Sequence, residues 1–146
     1  MAFRVFLDAD VLLDFALKRG GYPMIRRLME WVMAGRIQVF ISPAILRDIA
    51  PELCRAYGVE LTQQLLLTLI ASVQIIEASS EVVVTALQSK INNIPGAISY
   101  HTALYHRLDY FITWNFELLG VVNPVLPVTT PIDFLNKHAG QLARIN

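Results

Sequence analysis

The sequence is short of charge and almost free of cysteine. Asp, Glu, Lys and Arg make up 16% of its 146 residues, against about 25% in an ordinary soluble domain. Cys54 is the sole cysteine, which excludes an internal disulfide and a cysteine-based zinc cluster. Twelve basic residues balance twelve acidic ones. The whole chain therefore carries no electrostatic footprint for nucleic acid, and such binding needs a local basic patch. Long apolar runs are missing as well. The longest stretches free of charged residues, 61–76 and 91–106, are broken by Thr62, Gln63, Gln64, Thr68, Ser72 and Gln74 in the first and by Asn92, Asn93, Pro95 and Gly96 in the second. Neither matches the ~20 mostly apolar residues of a membrane span. Arg4 and Asp8 interrupt the apolar start, unlike a signal peptide, so a cytoplasmic setting is expected. No phosphate-binding glycine loop is present, because Gly20-Gly21 lacks the Lys-Ser/Thr context.

What the chain has is apolar bulk. Hydrophobic residues reach 55% and the mean hydropathy is +0.48. That excludes a disordered chain and predicts apolar surface that meets a partner. The length suits one domain over 1–146, able to bury roughly 68–70% of its unfolded surface. No repeat, linker or low-complexity tract divides it.

Apolar periodicity and turn residues predict an alternation of strands and helices. Strands are expected at 3–7, 37–41, 73–77, 110–114 and 126–129. Helices are expected at 11–18, 22–35, from Ser42-Pro43 to Tyr57, 60–72, 80–89 and 97–107, with a short one after Thr130-Pro131. Ser42 and Thr130 sit where N-caps belong, each followed by a proline at the first helical position. The pattern argues for an α/β sandwich with a mainly parallel sheet, whose ligands gather at the carboxyl ends of the strands.

Oxygen ligands fall at those ends. Asp8 closes the first strand. Asp10 is placed to N-cap the next helix, and Asp14 lies one turn on. Asp48 lies in the first turns of the helix after the second strand. Asn115 ends the 110–114 strand, with Glu117 two residues later. Asp109 precedes that strand and so belongs to the opposite edge, ~17 Å away. Hard oxygen donors from three segments suit Mg²⁺ or Mn²⁺, which can activate water against a phosphodiester. His101, His106 and His138 form no triad or metal spacing and read as ordinary helix residues. Lys18, Arg19, Arg26, Arg27, Arg47 and Arg55 are the local basic groups available to phosphates. A phosphatase-like or response-regulator-like domain with Asp8 as nucleophile is the rival fold-level reading. It lacks the partnering Lys and Ser/Thr blocks at later strand ends.

Three segments together resemble the PIN domain family, in its single-domain, toxin–antitoxin form. Phe6-Leu7-Asp8-Ala9-Asp10-Val11-Leu12-Leu13-Asp14 resembles the family's opening, with Asp10 in the usual Asn place. Ile41-Ser42-Pro43-Ala44-Ile45-Leu46-Arg47-Asp48-Ile49 resembles the helix of the second acid, with Asp48 where Glu is usual. Gly96-Ala97-Ile98-Ser99-Tyr100-His101 through Asp109-Tyr110-Phe111-Ile112-Thr113-Trp114-Asn115 resembles the closing block, and Val128 to Leu135 also fits. The resemblance implies a three-layer α/β/α sandwich and a metal-dependent ribonuclease. It implies Asp8, Asp48 and Asn115 as catalytic metal ligands for Mg²⁺ or Mn²⁺, helped by Asp10 or Glu117, with Ser99, Thr113 and Arg47 as substrate contacts. One acid is missing: Gly96 stands where the family's third carboxylate should open its helix. The resemblance therefore implies either a toxin-type endoribonuclease with an incomplete acidic site or a weakened, non-catalytic module that binds RNA or protein. An antitoxin-like partner and a homodimer are also implied, and the apolar 61–73 segment is the surface expected to meet them.

Overall fold

The fold is described by a computed structural model covering residues 2–20 and 22–143. Five parallel strands form one sheet: β1 (Phe3–Leu7), β2 (Ile37–Ile41), β3 (Gln74–Ile75), β4 (Tyr110–Ile112) and β5 (Val128–Thr129), in the order β3-β2-β1-β4-β5. Among the described residues eight helices connect and flank them, giving a three-layer α/β/α sandwich as expected: α1 (Ala9–Ala16), α2 (Tyr22–Met33), α3 (Pro43–Tyr57), α4 (Val59–Ser72), α5 (Ser80–Leu87), α6 (Ile94–Tyr105), α7 (Phe116–Leu119) and α8 (Pro131–Ala143). No helix of the described residues is long and apolar enough to cross a membrane.

The central strand explains the sheet. Val5, Phe6 and Leu7 are fully buried, because β1 pairs on both sides and is covered on both faces, as parallel strands require. Alternation splits its side chains. Phe6 stacks on Phe111, with ring centroids 5.0 Å apart, and Tyr100 of α6 closes that face. The Tyr100 hydroxyl donates to the Leu126 carbonyl at 2.8 Å, so this buried polar group is satisfied. On the other face Phe3 and Tyr110 meet Phe134 and His138 of α8. His138 is thus part of an aromatic cluster.

The strand order contains the functional clue. From β1 the chain moves outward to β2 and β3, then returns across the sheet to place β4 on the other side of β1. The direction reverses between β1 and β4. A crevice opens outside the carboxyl ends of two strands whose connections diverge. Asp8 follows β1, and the Asp8 N–H donates to the Ile112 carbonyl at 3.0 Å. The ends of β1 and β4 are thereby locked side by side.

Several element bounds differ from the sequence expectation. The two edge strands are short: β3 holds two residues rather than five and β5 two rather than four. Each pairs on one side only, and Gln74 and Ile75 are both exposed. β4 stops at Ile112 because the next residues turn to meet α1. α8 spans 13 residues, longer than the short helix expected. α7 was not expected at all. Asp109 does lie at the opposite end of the sheet, where its carboxylate accepts the Arg4 N–H at 2.8 Å.

Candidate active site

The site starts from one helix boundary. Asp8, not Asp10, is the N-cap of α1: its backbone is extended (φ −73°, ψ 161°) and its Oδ1 accepts the Ala9 N–H at 2.9 Å. Its other oxygen accepts the Thr113 hydroxyl at 2.8 Å. The expected cap role of Asp10 is therefore corrected. The strand runs directly into the helix, which begins two residues earlier than the apolar period suggested.

Asp10 acts as a brace. Its Oδ2 accepts the Trp114 N–H at 3.1 Å and lies 3.4 Å from the Thr113 hydroxyl. This ties the first turn of α1 to the end of β4. Its Oδ1 is buried without a hydrogen-bond partner. Burial, and next the negative charge of Asp8, push the Asp10 carboxyl from its ordinary 3.8 to about 6. Asp8 is also pushed up. Burial is the largest cause, the bonds from Thr113 and Ala9 pull it back, and the charge of Asp48 adds to the rise. Asp8 and Asp48 therefore feel each other across one cleft.

Thr113 was expected to touch substrate, and its burial argues against that. The side chain is wholly buried. Its hydroxyl donates to Asp8 and accepts the Asn115 N–H at 2.9 Å. It orients the carboxylate rather than facing a ligand. Asn115 caps α7 through Oδ1, which accepts the Leu118 N–H at 3.1 Å, and still lines the cleft. An amide oxygen has a second lone pair, so the cap does not exhaust it.

Glu117 is placed elsewhere than expected. Both of its oxygens are engaged by backbone amides, Asn92 N–H at 2.8 Å and Asn93 N–H at 2.9 Å. It clamps the loop before α6, and it is not among the residues lining the cleft. That clamp sets Asn93, a residue the sequence reading missed. Asn93 N-caps α6, its Oδ1 accepting the Gly96 N–H at 2.9 Å, and it lines the cleft beside Gly96. An Asn three residues before a helical position, with Pro next to the helix start, was the available signal.

The resulting cleft has a volume of about 250 Å³ and is lined by Asp8, Asp10, Asp48, Gly96, Ser99 and Asn115, among others. Asp8, Asp10, Asp48, Asn115 and Ser99 line this one cleft, while Thr113 lies behind them and Glu117 outside. A larger cleft of about 580 Å³ adjoins it through Asp48 and Pro95 and contains Arg47. Among the described residues no group of three or more His, Cys, Asp and Glu is arranged to hold a metal ion. Gly96 lines the cleft without a side chain. A Cβ there would lie 3.1 Å from Leu118 Cδ1 and 3.2 Å from Asn93 Oδ1, so the space for a third acid is partly taken.

The other basic residues stand apart. Arg19 pairs with Asp14 at 3.0 Å and reaches Glu52 at 3.8 Å, and Arg26 pairs with Glu30 at 3.7 Å. Arg27 lies over the Trp31 ring at 6.0 Å. None of these, nor Lys18 or Arg55, lines either cleft.

The Asp10 shift has a measurable consequence. A carboxyl whose folded value is raised favours the folded state while protonated, and that contribution is lost as pH rises from about 4 through about 6. Asp10→Asn removes the ionisation and keeps an oxygen for the Trp114 N–H. In EDTA it is expected to raise the melting temperature at pH 7.5 and to change little at pH 4. The full shift corresponds to about 3 kcal/mol. Partial solvent exposure reduces this to on the order of 1–2 kcal/mol, or about 3–6 °C for a chain of this length. An equal gain at both pH values would show that ionisation is not its cause.

The family comparison agrees with this geometry. A family model described as PIN domain matches residues 4–117. No curated protein gives a significant match. Solved structures do. A toxin–antitoxin complex from Klebsiella pneumoniae superposes with a TM-score of 0.66 at 22% identity, over 87% of this chain and 97% of that one. VapBC2 from Rickettsia felis, bound to a DNA fragment from its promoter, gives 0.65 at 15%, over 86% and 97%. VapC20 of Mycobacterium tuberculosis, a sarcin–ricin loop cleaving toxin, gives 0.63 at 15%, over 81% and 96%. At those identities the structures speak for the fold. The family model spans most of the sequence, including the ends of β1 and β4 that build the cleft, and on that ground the chain belongs to the PIN domain family.

Proposed function

We propose that this chain is a toxin-type endoribonuclease that hydrolyses RNA phosphodiesters with a divalent cation, Mg²⁺ or Mn²⁺. The observation that carries the reading is the pairing of Asp8 and Asp48 in one open cleft at the sheet's reversal point. The donor set fits a hard cation: it is all oxygen, and Asp8 is pushed up by burial and by a neighbouring negative charge that a cation would offset. Two carboxylates are few for a dedicated cage. Mg²⁺, however, is commonly held by one or two carboxylates together with substrate phosphates. Asp8 and Asp48 would hold the ion, with Asn115 as a neutral oxygen beside them. The ion, when bound, supplies an activated water and offsets charge developing on the phosphodiester.

The chain's own residues do the rest. Thr113 fixes the Asp8 rotamer, so one carboxylate oxygen keeps a constant aim. Asp10 holds α1 against β4 and so fixes the spacing between Asp8 and Asn115. Ser99, largely buried on α6, bounds the cleft floor and offers a hydroxyl to the substrate. Arg47 supplies positive charge at the mouth, which a neutral chain needs.

Partners follow from the surface. α4 exposes Val59, Leu61, Leu65, Leu67 and Ile70, apolar residues spread around much of the circumference of a helix that packs chiefly on α3. It suits a protein partner, a second copy of the chain or an antitoxin-like protein. The toxin–antitoxin neighbours support the latter.

A second reading, an RNA- or protein-binding module without catalysis, is favoured by Gly96 and by the lack of a three-acid group among the described residues. One experiment separates them. The purified chain is incubated with mixed RNA in Mn²⁺ or EDTA, and its mass is read by light scattering. Mn²⁺-dependent cleavage by a dimer is expected. Intact RNA, with no heat of Mn²⁺ binding by calorimetry, leaves the second reading, and a monomeric mass removes the self-association.

A further inference from the structure

The acid cleft holds an oxygen that the hydrolytic site does not yet use. Mg²⁺ binds about six oxygens, and Asp8, Asp48 and Asn115 are only part of such a shell. Asp10 does not complete it, because its Oδ2 braces Trp114 and its Oδ1 is buried. Asn93 is different. It is exposed and lines the cleft. Its Oδ1 accepts the Gly96 N–H at 2.9 Å, which fixes the end of the amide that is oxygen. That oxygen keeps a second lone pair.

Two neighbours hold the Asn93 side chain where it is. The first is Glu117, whose carboxylate accepts the backbone N–H of Asn92 at 2.8 Å and of Asn93 at 2.9 Å. Hydrogen bonds to an ionised group are roughly twice as strong as neutral ones, so the Asn93 backbone has a firm anchor. The second is Gly96. A Cβ at that position would lie 3.2 Å from Asn93 Oδ1 and 3.3 Å from Asn93 Cγ. The amide therefore lies over the direction in which a side chain at 96 would leave the helix. A larger residue there would have to move it, and glycine, though poorer than alanine in a helix, does not.

Asn93 also completes a pattern. Three helices, α1, α6 and α7, begin at this cleft, and their N-cap residues, Asp8, Asn93 and Asn115, all line it. The positive end of a helix opposes a cation. An ion is favoured here only where the capping oxygens themselves meet it.

We infer that Asn93 Oδ1 is a further ligand of the divalent cation, a second neutral oxygen alongside Asn115, seated in the space that Gly96 leaves. The inference rests on the metal-dependent reading above and adds a residue of this chain to its ligand set.

The test is calorimetry of the full chain with Mn²⁺, beside thermal melting in EDTA. Asn93→Gly removes the oxygen, and glycine is nearly as good an N-cap as asparagine. It is expected to bind Mn²⁺ about tenfold more weakly, the low end of the losses caused by removing groups that support a metal, while melting within about 3 °C of wild type. Asn93→Asp keeps the cap and adds a charge, and is expected to bind Mn²⁺ at least tenfold more tightly. Wild-type affinity in Asn93→Gly makes Asn93 a cap alone and overturns the inference. A loss in Asn93→Gly with no gain in Asn93→Asp assigns the effect to a disturbed start of α6 and overturns it too. In either case Mn²⁺-dependent cleavage by the wild type leaves the nuclease reading standing. No heat of Mn²⁺ binding in the wild type overturns the ligand and the cation together.

Discussion

Asp8→Asn is expected to lower Mn²⁺-dependent RNA cleavage by at least ~100-fold while leaving the fold intact. The first half follows from charge. The cleft offers Asp8 and Asp48 as the acids not engaged in bracing. Removing one takes away one of the two carboxylates that would hold a divalent ion, whose stabilisation of a phosphodiester transition state amounts to several kcal/mol. A loss of about 3 kcal/mol is already ~100-fold in rate. The second half follows from the same residue's structural duties. Asn is as good an N-cap as Asp, so the Ala9 N–H keeps its acceptor, while the amide nitrogen takes the place of the oxygen facing Thr113 and donates to its hydroxyl, which can turn its own proton to Asp10 Oδ2. Burial and the Asp48 charge already disfavour the ionised form, so the neutral amide costs the metal-free protein nothing. Any protection against heat by Mn²⁺ should disappear in the variant, since ligand stabilisation scales with RT ln(1 + [L]/Kd). Cleavage within about threefold of wild type would remove Asp8 from the mechanism.

The sequence was most legible where physics is local. β1 and β2 have the expected bounds, Phe3–Leu7 and Ile37–Ile41, because their second halves, Val5-Phe6-Leu7 and Val39-Phe40-Ile41, are buried on both faces and read as apolar runs. α3 also began where Ser42-Pro43 predicted. The edge strands were over-read, since apolar residues flank them for other reasons. Leu126 is buried in the core, with its carbonyl accepting the Tyr100 hydroxyl, and lies before β5. α7 escaped because a single turn has no period; only Asn115 with Glu117 behind it hinted at a cap.

The site divides in the same way. Asp8 and Asp48 were legible because a strand end and the helix after the next strand must meet at one sheet edge. The bond between Thr113 and Asp8 spans 105 residues, and no local pattern encodes which way a buried hydroxyl turns. Glu117 looked like a ligand by charge and position, but two amides 24 and 25 residues upstream claim it. The apolar excess found a location too. α4 exposes much of the apolar surface expected of the 61–73 segment.

Gly96→Asp is expected to tighten Mn²⁺ binding at least tenfold and to raise cleavage with it. The position lines the cleft with Asp8 and Asp48, and a third carboxylate there would join two acids on the same ion. Unit charges a few ångströms apart interact by about 4 kcal/mol at an effective dielectric of 20, so a tenfold gain, about 1.4 kcal/mol, is a modest share. The obstacle is steric. The new Cβ meets Leu118 Cδ1 at 3.1 Å and the capping oxygen of Asn93 at 3.2 Å, so both neighbours must yield by a few tenths of an ångström. Helix chemistry works the other way: Gly is poor inside a helix, and an acid in the first turn favours the dipole. These terms nearly offset, and stability should change by no more than about 1 kcal/mol. Gly96→Ala is the control, because it introduces the same Cβ without the charge. If calorimetry finds Mn²⁺ no tighter in the Asp variant than in the Ala variant, Gly96 is not the vacant ligand position. If the Asp variant alone gains both affinity and cleavage, the chain is a PIN nuclease held back by one missing carboxylate.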